Sequence, residues 1–243
     1  MSMRLYVDLP LTQGTDIALP DGAARHAMVR RVQPGDVLTL FDGSGADWAA
    51  EVLAVTRSGV RVHVGAARVV QRELPLAVTL ALAMPANERM DTLVEKATEL
   101  GVARIQPLHA ERSVLRLAGE RAQRKRAHWQ AVAQAACEQC GRAVLPLVEP
   151  VLDLPAWLAQ LPADTPGLQP SRWLLSLSSG ALPPAALHAP TGSLLTLSGP
   201  EGGLTADEEN AARQAGFQPV ALGPRVLRAD TAPLAVLAWL VLS

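Results

Sequence analysis

Short apolar runs separated by turn residues fill the first part of the chain. They predict strands at residues 4–7, 37–41, 48–55 and 59–64. One helical segment, residues 22–31, interrupts this series. Because several short strands at regular spacing are typical of a small barrel, residues 1–72 are predicted to form a β-barrel domain.

The pattern changes after residue 73. Residues 76–83 are continuously apolar, as expected of a strand buried on both faces. Apolar residues at helical spacing follow and end at Gly101, and Asn87 is expected to cap that helix. Further strands are predicted at residues 104–109, 144–148 and 173–178, and a helix from 119 to about 140. Residues 153–169 contain several prolines and are predicted to form a loose connection around one short helix at most. This alternation indicates an α/β domain with a parallel sheet over residues 73–243.

A glycine-rich loop at residues 199–203, here called the glycine loop, lies between a predicted strand and a predicted helix. The strand is residues 193–198, and Thr205 with Glu208 forms a capping box that opens the helix. The loop has neither the GxGxxG spacing nor a Gly-Lys-Ser/Thr ending, which disfavours a Rossmann-type dehydrogenase. Since the first helical turn is acidic, the loop suits a neutral or cationic small molecule better than a phosphate.

A second strand, loop and helix follow directly. Residues 219–222 are predicted as a strand, and residues 223–230 form a loop with two arginines, here called the arginine loop. Asp230 or Thr231 is expected to cap the last helix. Two successive loops at neighbouring strand ends can together form the wall of a ligand-binding crevice.

These two loops resemble the knot motifs of the SPOUT methyltransferases, and most closely the ribosomal RNA small subunit methyltransferase E family. The motifs are LSGPEGGLT at residues 197–205 and LGPRVLRADTA at residues 222–232. Looser similarity covers ERMDTLVEKATELG at 88–101, EQCGR at 138–142, RLYV at 4–7, His26, Arg30, Arg31, Asp42 and Gly43. The family usually has glutamate where this chain has Asp230.

The resemblance implies a fold and an activity. The expected architecture is a PUA-like RNA-binding barrel at residues 1–72, followed by an α/β parallel-sheet SPOUT domain with a C-terminal trefoil knot at 73–243. The expected reaction is S-adenosylmethionine-dependent methylation of N3 of a uridine in 16S ribosomal RNA of the small ribosomal subunit. A homodimer is also expected.

The resemblance also implies site residues. Those expected to bind the cofactor are Leu175, Leu197, Ser198, Gly199, Pro200, Glu201, Gly202, Leu222, Gly223, Val226, Leu227 and Arg228. Those expected to bind RNA are Arg4, Arg25, His26, Arg30, Gln139 and Arg142. Arg228 could stabilise charge on the uracil oxygens, and Glu201 could fix the ligand or help receive a proton. Two alternatives stay open: Glu201 in an ion pair with Arg225 or Arg228, and Arg228 as a helix cap or interface ion pair.

Composition limits the other classes of function. The chain has 22 basic and 23 acidic residues, a balance that argues against general coating of nucleic acid. A local basic run from Arg112 to Arg126 could be a solvated helix face or a contact with RNA. The longest apolar run, residues 232–242, is too short to span a bilayer, and no secretory signal is recognised, so a cytoplasmic protein is expected.

Cys137 and Cys140 have CxxC spacing. A zinc site needs about four ligands, and the sequence has no second CxxC or HxxxH pair, so ordinary thiols and no metal are expected. The main alternative function is a non-catalytic module of the same fold that binds RNA or ribosomes.

Overall fold

The computed structural model describes residues 3–86, 89–162, 170–187 and 190–242. These residues form two compact units. The first unit contains the chain up to Glu73 together with Gln134–Leu145, and the second contains Leu74–Ala133 and the chain from Pro146 onward. The sequence predicts one boundary after residue 72 and so assigns the segment Gln134–Leu145 to the second domain. In the structure this segment lies in the first unit.

The first unit is a five-stranded sheet with one helix. Its elements are β1 (Arg4–Tyr6), β2 (Asp16–Ala18), α1 (Asp21–Val29), β3 (Val37–Phe41), β4 (Ala46–Thr56) and β5 (Gly59–Val69). The strand order is β1-β3-β4-β5-β2, with β1 parallel to β3 and the other neighbours antiparallel. The sequence does not predict β2, because this three-residue strand is defined by its pairing with β5 rather than by its own pattern.

Alternation along β5 places one face of the sheet in the core. Val60, Val62 and Val64 are buried, whereas the intervening Arg61 and His63 are not. This period of two is the signature of a strand with one buried face. The helix α1 contributes small buried alanines to the same core, which lets it pack closely on the sheet.

The second unit is a seven-stranded parallel sheet with helices. Its strands are β6 (Ala77–Ala83), β7 (Arg104–His109), β8 (Leu147–Val148), β9 (Leu152–Asp153), β10 (Ser171–Leu175), β11 (Ser193–Ser198) and β12 (Gln218–Val220). Its helices are α2 (Arg89–Glu99), α3 (Gly119–Cys140, which continues into the first unit), α4 (Leu154–Gln160), α5 (Ala206–Gln214) and α6 (Thr231–Leu242), with a 3-10 turn at Pro184–Ala186. The order is β12-β10-β11-β6-β7-β8, and β9 also pairs with β7.

The strand β6 lies in the middle of this sheet, and later strands are added on both sides of it. From β6 the chain moves to β7 and β8 on one side, and the later strands β10, β11 and β12 lie on the other. The continuous apolar run of β6 is buried from Leu80 to Ala83, which confirms a strand covered on both faces. In open parallel sheets the carboxyl ends of strands near such a reversal form the usual ligand crevice.

Several boundaries differ from the sequence prediction. The predicted strand at 144–148 is limited to Leu147–Val148, and β10 ends at Leu175. The predicted cap Asn87 and residues 163–169 of the loose connection lie outside the described residues. Among the described segments, no helix combines the length and apolar composition that crossing a membrane requires.

Candidate functional site

Three parallel strands of the second unit end at the same edge of the sheet. β12, β10 and β11 are consecutive neighbours, and their last residues are Val220, Leu175 and Ser198. Because parallel strands place their carboxyl ends together, the loops that follow them converge. These loops surround a cavity of about 560 Å³, a volume typical of small-molecule sites.

The glycine loop, the arginine loop and the residues after β10 form the wall of this cavity. Predicted cofactor-binding residues on the wall are Leu175, Ser198, Gly199, Pro200, Glu201, Gly202, Leu222, Val226, Leu227 and Arg228. Other residues on it are Arg89, Ser176, Leu177, Gly203, Leu204, Glu209, Val220, Arg225, Ala229 and Ala232. Of the two predicted residues not found on the wall, Leu197 is fully buried within β11 and Gly223 lies in an exposed turn with φ +92°.

Gly199 allows the glycine loop to fold back on itself. A Cβ atom at this position would lie 2.8 Å from the backbone nitrogen of Leu204 and 3.0 Å from the carbonyl carbon of Gly203. Both are backbone atoms, so a larger residue at position 199 requires the loop to change shape. Gly203 has φ +69°, and its N–H donates to the carbonyl of Pro200 at 2.8 Å.

The capping box predicted at Thr205 is present and fixes the end of the glycine loop. The Thr205 hydroxyl accepts a hydrogen bond from the Glu208 N–H at 3.2 Å. The Glu208 carboxylate accepts one from the Thr205 N–H at 2.8 Å. Since the first turn of α5 is already acidic, its dipole is offset and does not favour an incoming phosphate.

Glu201 is held by a partner that the sequence does not predict. Its Oε1 atom accepts hydrogen bonds from the Ala86 N–H and from the Arg89 guanidinium, both at 3.1 Å. The structure therefore pairs Glu201 with Arg89 and not with Arg225 or Arg228. Because both contacts use Oε1, Oε2 has no hydrogen-bond partner in the described part of the chain and can accept one from a ligand.

Arg225 and Arg228 bring positive charge to the cavity. Both are exposed, and neither forms an ion pair with a carboxylate of the described residues. The backbone carbonyl of Arg228 accepts hydrogen bonds from Thr231 and Ala232 at 3.0 and 3.1 Å, so its backbone supports the start of α6. The side chain of Arg228 remains available to a bound ligand.

Ser176, which follows β10, forms a polar cluster with Glu209 and Arg213 of α5 that the sequence does not predict. Ser176 Oγ donates to the two carboxylate oxygens of Glu209 at 3.1 and 3.2 Å, and Arg213 pairs with the same carboxylate at 3.3 Å. In the sequence Glu209 is only part of an acidic helix start. The spacing of four residues between Glu209 and Arg213 is the local sequence signal for their ion pair.

Apolar surface lies beside these charges. Leu177 and Val226 are 66% and 78% exposed and line the cavity. Ser198 Oγ is buried on the same wall and has no hydrogen-bond partner among the described residues. The cavity can therefore accept a ligand with an apolar body and charged or hydrogen-bonding ends.

Four of the residues predicted to bind RNA lie in or against the segment Gln134–Leu145 of the first unit: Arg4, His26, Gln139 and Arg142. Glu138 pairs with His26 at 3.3 Å and accepts a hydrogen bond from the Tyr6 N–H at 3.0 Å. Three of the predicted residues, Arg25, Arg30 and Gln139, are exposed. These exposed side chains can reach a partner directly.

Arg4 and Arg142 are instead enclosed in ion pairs. Arg4 lies 2.5 Å from Asp47 and also donates to the backbone carbonyl of Arg142 at 3.0 Å. The Arg142 side chain is only 4% exposed and pairs with Glu73, with Nε 3.0 Å from Oε2. Because these guanidinium groups bind carboxylates of their own unit, direct contact of Arg4 or Arg142 with RNA stays a prediction that the geometry does not favour.

The basic run from Arg112 to Arg126 is partly structural. Arg112 donates to the backbone carbonyls of Gly202 and Leu204 at 3.0 and 3.4 Å and so supports the glycine loop. Arg126 donates to the carbonyl of Val148 at 2.8 Å. Arg121 and Arg124 are exposed and belong to the solvated face of α3.

Both cysteines are free thiols. Cys137 is buried, and this burial raises the pKa of its thiol to about 12, which suppresses the reactive thiolate. Within the described ranges, no group of three or more histidine, cysteine, aspartate or glutamate residues is arranged to hold a metal ion.

Comparison with known proteins gives consistent matches along the chain. The family model for the RNA methyltransferase domain matches residues 72–241, and that for the RNA methyltransferase PUA domain matches residues 19–64. Ribosomal RNA small subunit methyltransferase E of Synechocystis is 36% identical over 86% of this chain and 67% of its own length. The protein of the same name from Mycobacterium bovis is 34% identical over 96% and 88%.

A solved structure shares both fold and sequence with this chain. Ribosomal RNA small subunit methyltransferase E from Neisseria gonorrhoeae, bound to S-adenosyl methionine, superposes with a TM-score of 0.91 at 36% identity. The match covers 98% of this chain and 96% of that one. At this level of similarity the α/β fold with a parallel sheet, preceded by a PUA-like domain, is confirmed.

Proposed function

This chain belongs to the ribosomal RNA small subunit methyltransferase E family, and on that premise we propose that it transfers a methyl group from S-adenosylmethionine to N3 of a uridine in 16S ribosomal RNA. The observation that supports the proposal most is the cavity at the carboxyl ends of β10, β11 and β12. It is lined by the two loops that carry the family motifs.

The residues of the cavity fit S-adenosylmethionine. Gly199 allows the glycine loop to fold back closely enough to form this part of the wall, and the buried hydroxyl of Ser198 lacks a partner among the described residues. Leu175 and Leu222 provide an apolar surface and backbone groups for an adenine ring. Oε2 of Glu201 and the guanidinium groups of Arg225 and Arg228 offer partners of both signs to a ligand that carries positive and negative groups. When bound, the cofactor supplies an electrophilic methyl group on a sulfonium centre.

The reaction requires the uracil N3 to lose its proton. A bond then forms between N3 and the methyl carbon as the bond from that carbon to sulfur breaks, and S-adenosylhomocysteine leaves. Arg228 would stabilise the negative charge that develops on the uracil oxygens. Oε2 of Glu201 is the group on the cavity wall that we propose to help receive the proton, while Arg89 holds Oε1 in place.

Positioning carries much of the catalysis in this proposal. The glycine loop is fixed at one end by the Thr205 capping box and along its length by Arg112 and Arg89. A cofactor bound against a fixed loop presents its methyl group in one orientation, which lowers the entropic cost of reaching the transition state. In the first unit, exposed Arg25, Arg30 and Gln139 would bind RNA.

A calorimetric titration separates the enzyme from a non-catalytic module of the same fold. The intact protein is expected to bind S-adenosylmethionine at a single site per chain and to transfer labelled methyl groups to 16S ribosomal RNA. Binding of RNA without any binding of S-adenosylmethionine would favour the module and contradict the proposal. The homodimer, the trefoil knot and the cytoplasmic location stay predictions.

A further inference from the structure

A compact cluster of charged side chains lies in the first unit. It contains four arginines and two carboxylates: Arg4, Arg68, Arg72 and Arg142 with Asp47 and Glu73. Arg68 and Arg72 lie outside the family motifs. Both are exposed, whereas Arg4 and Arg142 are enclosed.

Asp47 is the centre of the cluster and is almost completely buried. Its side chain is 7% exposed, and its Oδ1 atom lies 2.5 Å from Nη1 of Arg4. The Arg4 guanidinium also stacks over the ring of Phe41, 4.7 Å from the ring centroid. Arg4 therefore neutralises Asp47 from the interior of the unit.

The second oxygen of Asp47 lies between two arginines at the surface. Arg68 and Arg72 each place a guanidinium nitrogen 3.5 Å from Oδ2, and their side chains are 73% and 41% exposed. Asp47 and Arg68 are directly opposed in the β4–β5 pairing, so strand register sets this arrangement.

Arg72 is fixed by a second contact. It donates to the backbone carbonyl of Gly141, a residue with φ +89°. A Cβ atom at position 141 would lie 2.9 Å from Nη1 of Arg72, so a larger residue there would displace the guanidinium from this position. The side chain is thus held in position before any ligand arrives.

The charges of the cluster do not balance. Glu73 compensates Arg142, but the single charge of Asp47 is shared among three guanidinium groups. The excess positive charge lies on Arg68 and Arg72, which repel one another because both approach the same oxygen. An anion between them would relieve this repulsion, and the planar guanidinium matches the geometry of a phosphate.

We propose that Arg68 and Arg72 form a binding site for the phosphate backbone of RNA, an inference that rests on the proposed action on ribosomal RNA. Aromatic residues make up only 3% of the chain, so stacking on bases contributes little and phosphate contacts must supply much of the affinity. Asp47 and Arg4 act as positioning residues that hold this site in place.

The test compares three alanine variants of the full chain. R68A and R72A each remove one proposed phosphate contact, and R61A is the matched control. Arg61 lies on β5, as Arg68 does, and its side chain is 62% exposed. It also has a carboxylate partner, Asp16, at 3.7 Å. Affinity for a transcript of 16S ribosomal RNA is measured at several salt concentrations, and thermal unfolding checks that each variant is folded.

R68A is expected to weaken RNA binding by about tenfold near 0.1 M salt. The slope of log K against log salt should become shallower by about one, as expected for one lost phosphate contact. R72A should act in the same direction, whereas R61A should stay within about twofold of the wild type. R68A and R72A binding RNA as well as R61A would overturn the inference.

Failure of this site and failure of the proposed function give different results. Loss of RNA affinity in R68A, with a wild-type protein that transfers no methyl group, would keep the phosphate site and contradict the methyltransferase. Normal methyl transfer by the wild type, with R68A and R61A indistinguishable in RNA affinity, would support the methyltransferase and contradict the phosphate site. Calorimetry with S-adenosylmethionine should give the same affinity for all three variants.

Discussion

Replacing Arg228 by alanine is expected to lower the rate of methyl transfer by about one hundredfold to one thousandfold. Arg228 is exposed at the cavity and forms no ion pair with a described carboxylate, so its charge is available to the uracil oxygens. A group that acts mainly in the transition state affects the rate and not the binding of the cofactor. The affinity for S-adenosylmethionine should therefore change by less than about threefold.

The variant R228K separates the effect of the positive charge at position 228 from the effect of the planar guanidinium. Lysine keeps the positive charge but lacks the planar fork of arginine, so R228K should recover only part of the rate. Single-turnover transfer of a labelled methyl group measures the rate, and calorimetry measures the affinity for the cofactor. A wild-type rate in R228A would remove this residue from the reaction, and an equal loss of rate and cofactor affinity would assign it to cofactor binding instead.

Replacing Gly199 by alanine is expected to weaken binding of S-adenosylmethionine by at least about tenfold, the equivalent of about 1.4 kcal/mol. The added Cβ atom would lie 2.8 Å from the Leu204 backbone nitrogen, so the glycine loop must open to accommodate it. That loop forms part of the cavity wall, and its displacement changes the shape of the site.

Gly180 provides a matched control for this substitution. It also lies in a loop of the second unit, but a Cβ atom at position 180 would have no neighbour within 4 Å. G180A should therefore bind the cofactor like the wild type. Calorimetry on both variants, with circular dichroism to confirm that they are folded, decides the outcome. Cofactor affinity in G199A equal to that in G180A would show that the glycine loop does not shape the site.

Local patterning predicts the longer elements of the fold. The strand β11, the strand β7 and the helix α3 have the bounds expected from the sequence, because each has a continuous apolar run or helical spacing of its own. The strand β2 has only three residues and depends on its partner β5 for its definition. Its pairing is a property of the folded unit and leaves little signal in the sequence.

In the candidate site too, contacts between segments that are distant in sequence are not predictable from local patterning. Residues within the two motif loops are predicted because their sequence is distinctive, and most of them line the cavity. Arg89 and Ser176 reach the cavity from other elements. Arg89 lies in the segment at residues 88–101, whose similarity to the family is loose and gives no role for this residue, and nothing in the local sequence marks Ser176. Conversely, Arg4 and Arg142 are basic residues whose carboxylate partners, Asp47 and Glu73, are distant in sequence. Charge alone could not show that these arginines are enclosed.

The most direct test of the proposed reaction is mass mapping of 16S ribosomal RNA from a strain that lacks this protein. One uridine is expected to lose the methyl group on N3, and expression of the wild-type protein should restore it. Expression of R228A should restore little of it in the same time. Ribosomal RNA with identical methylation in the presence and absence of the protein, or a restored methyl group on any atom other than uridine N3, would contradict the proposal.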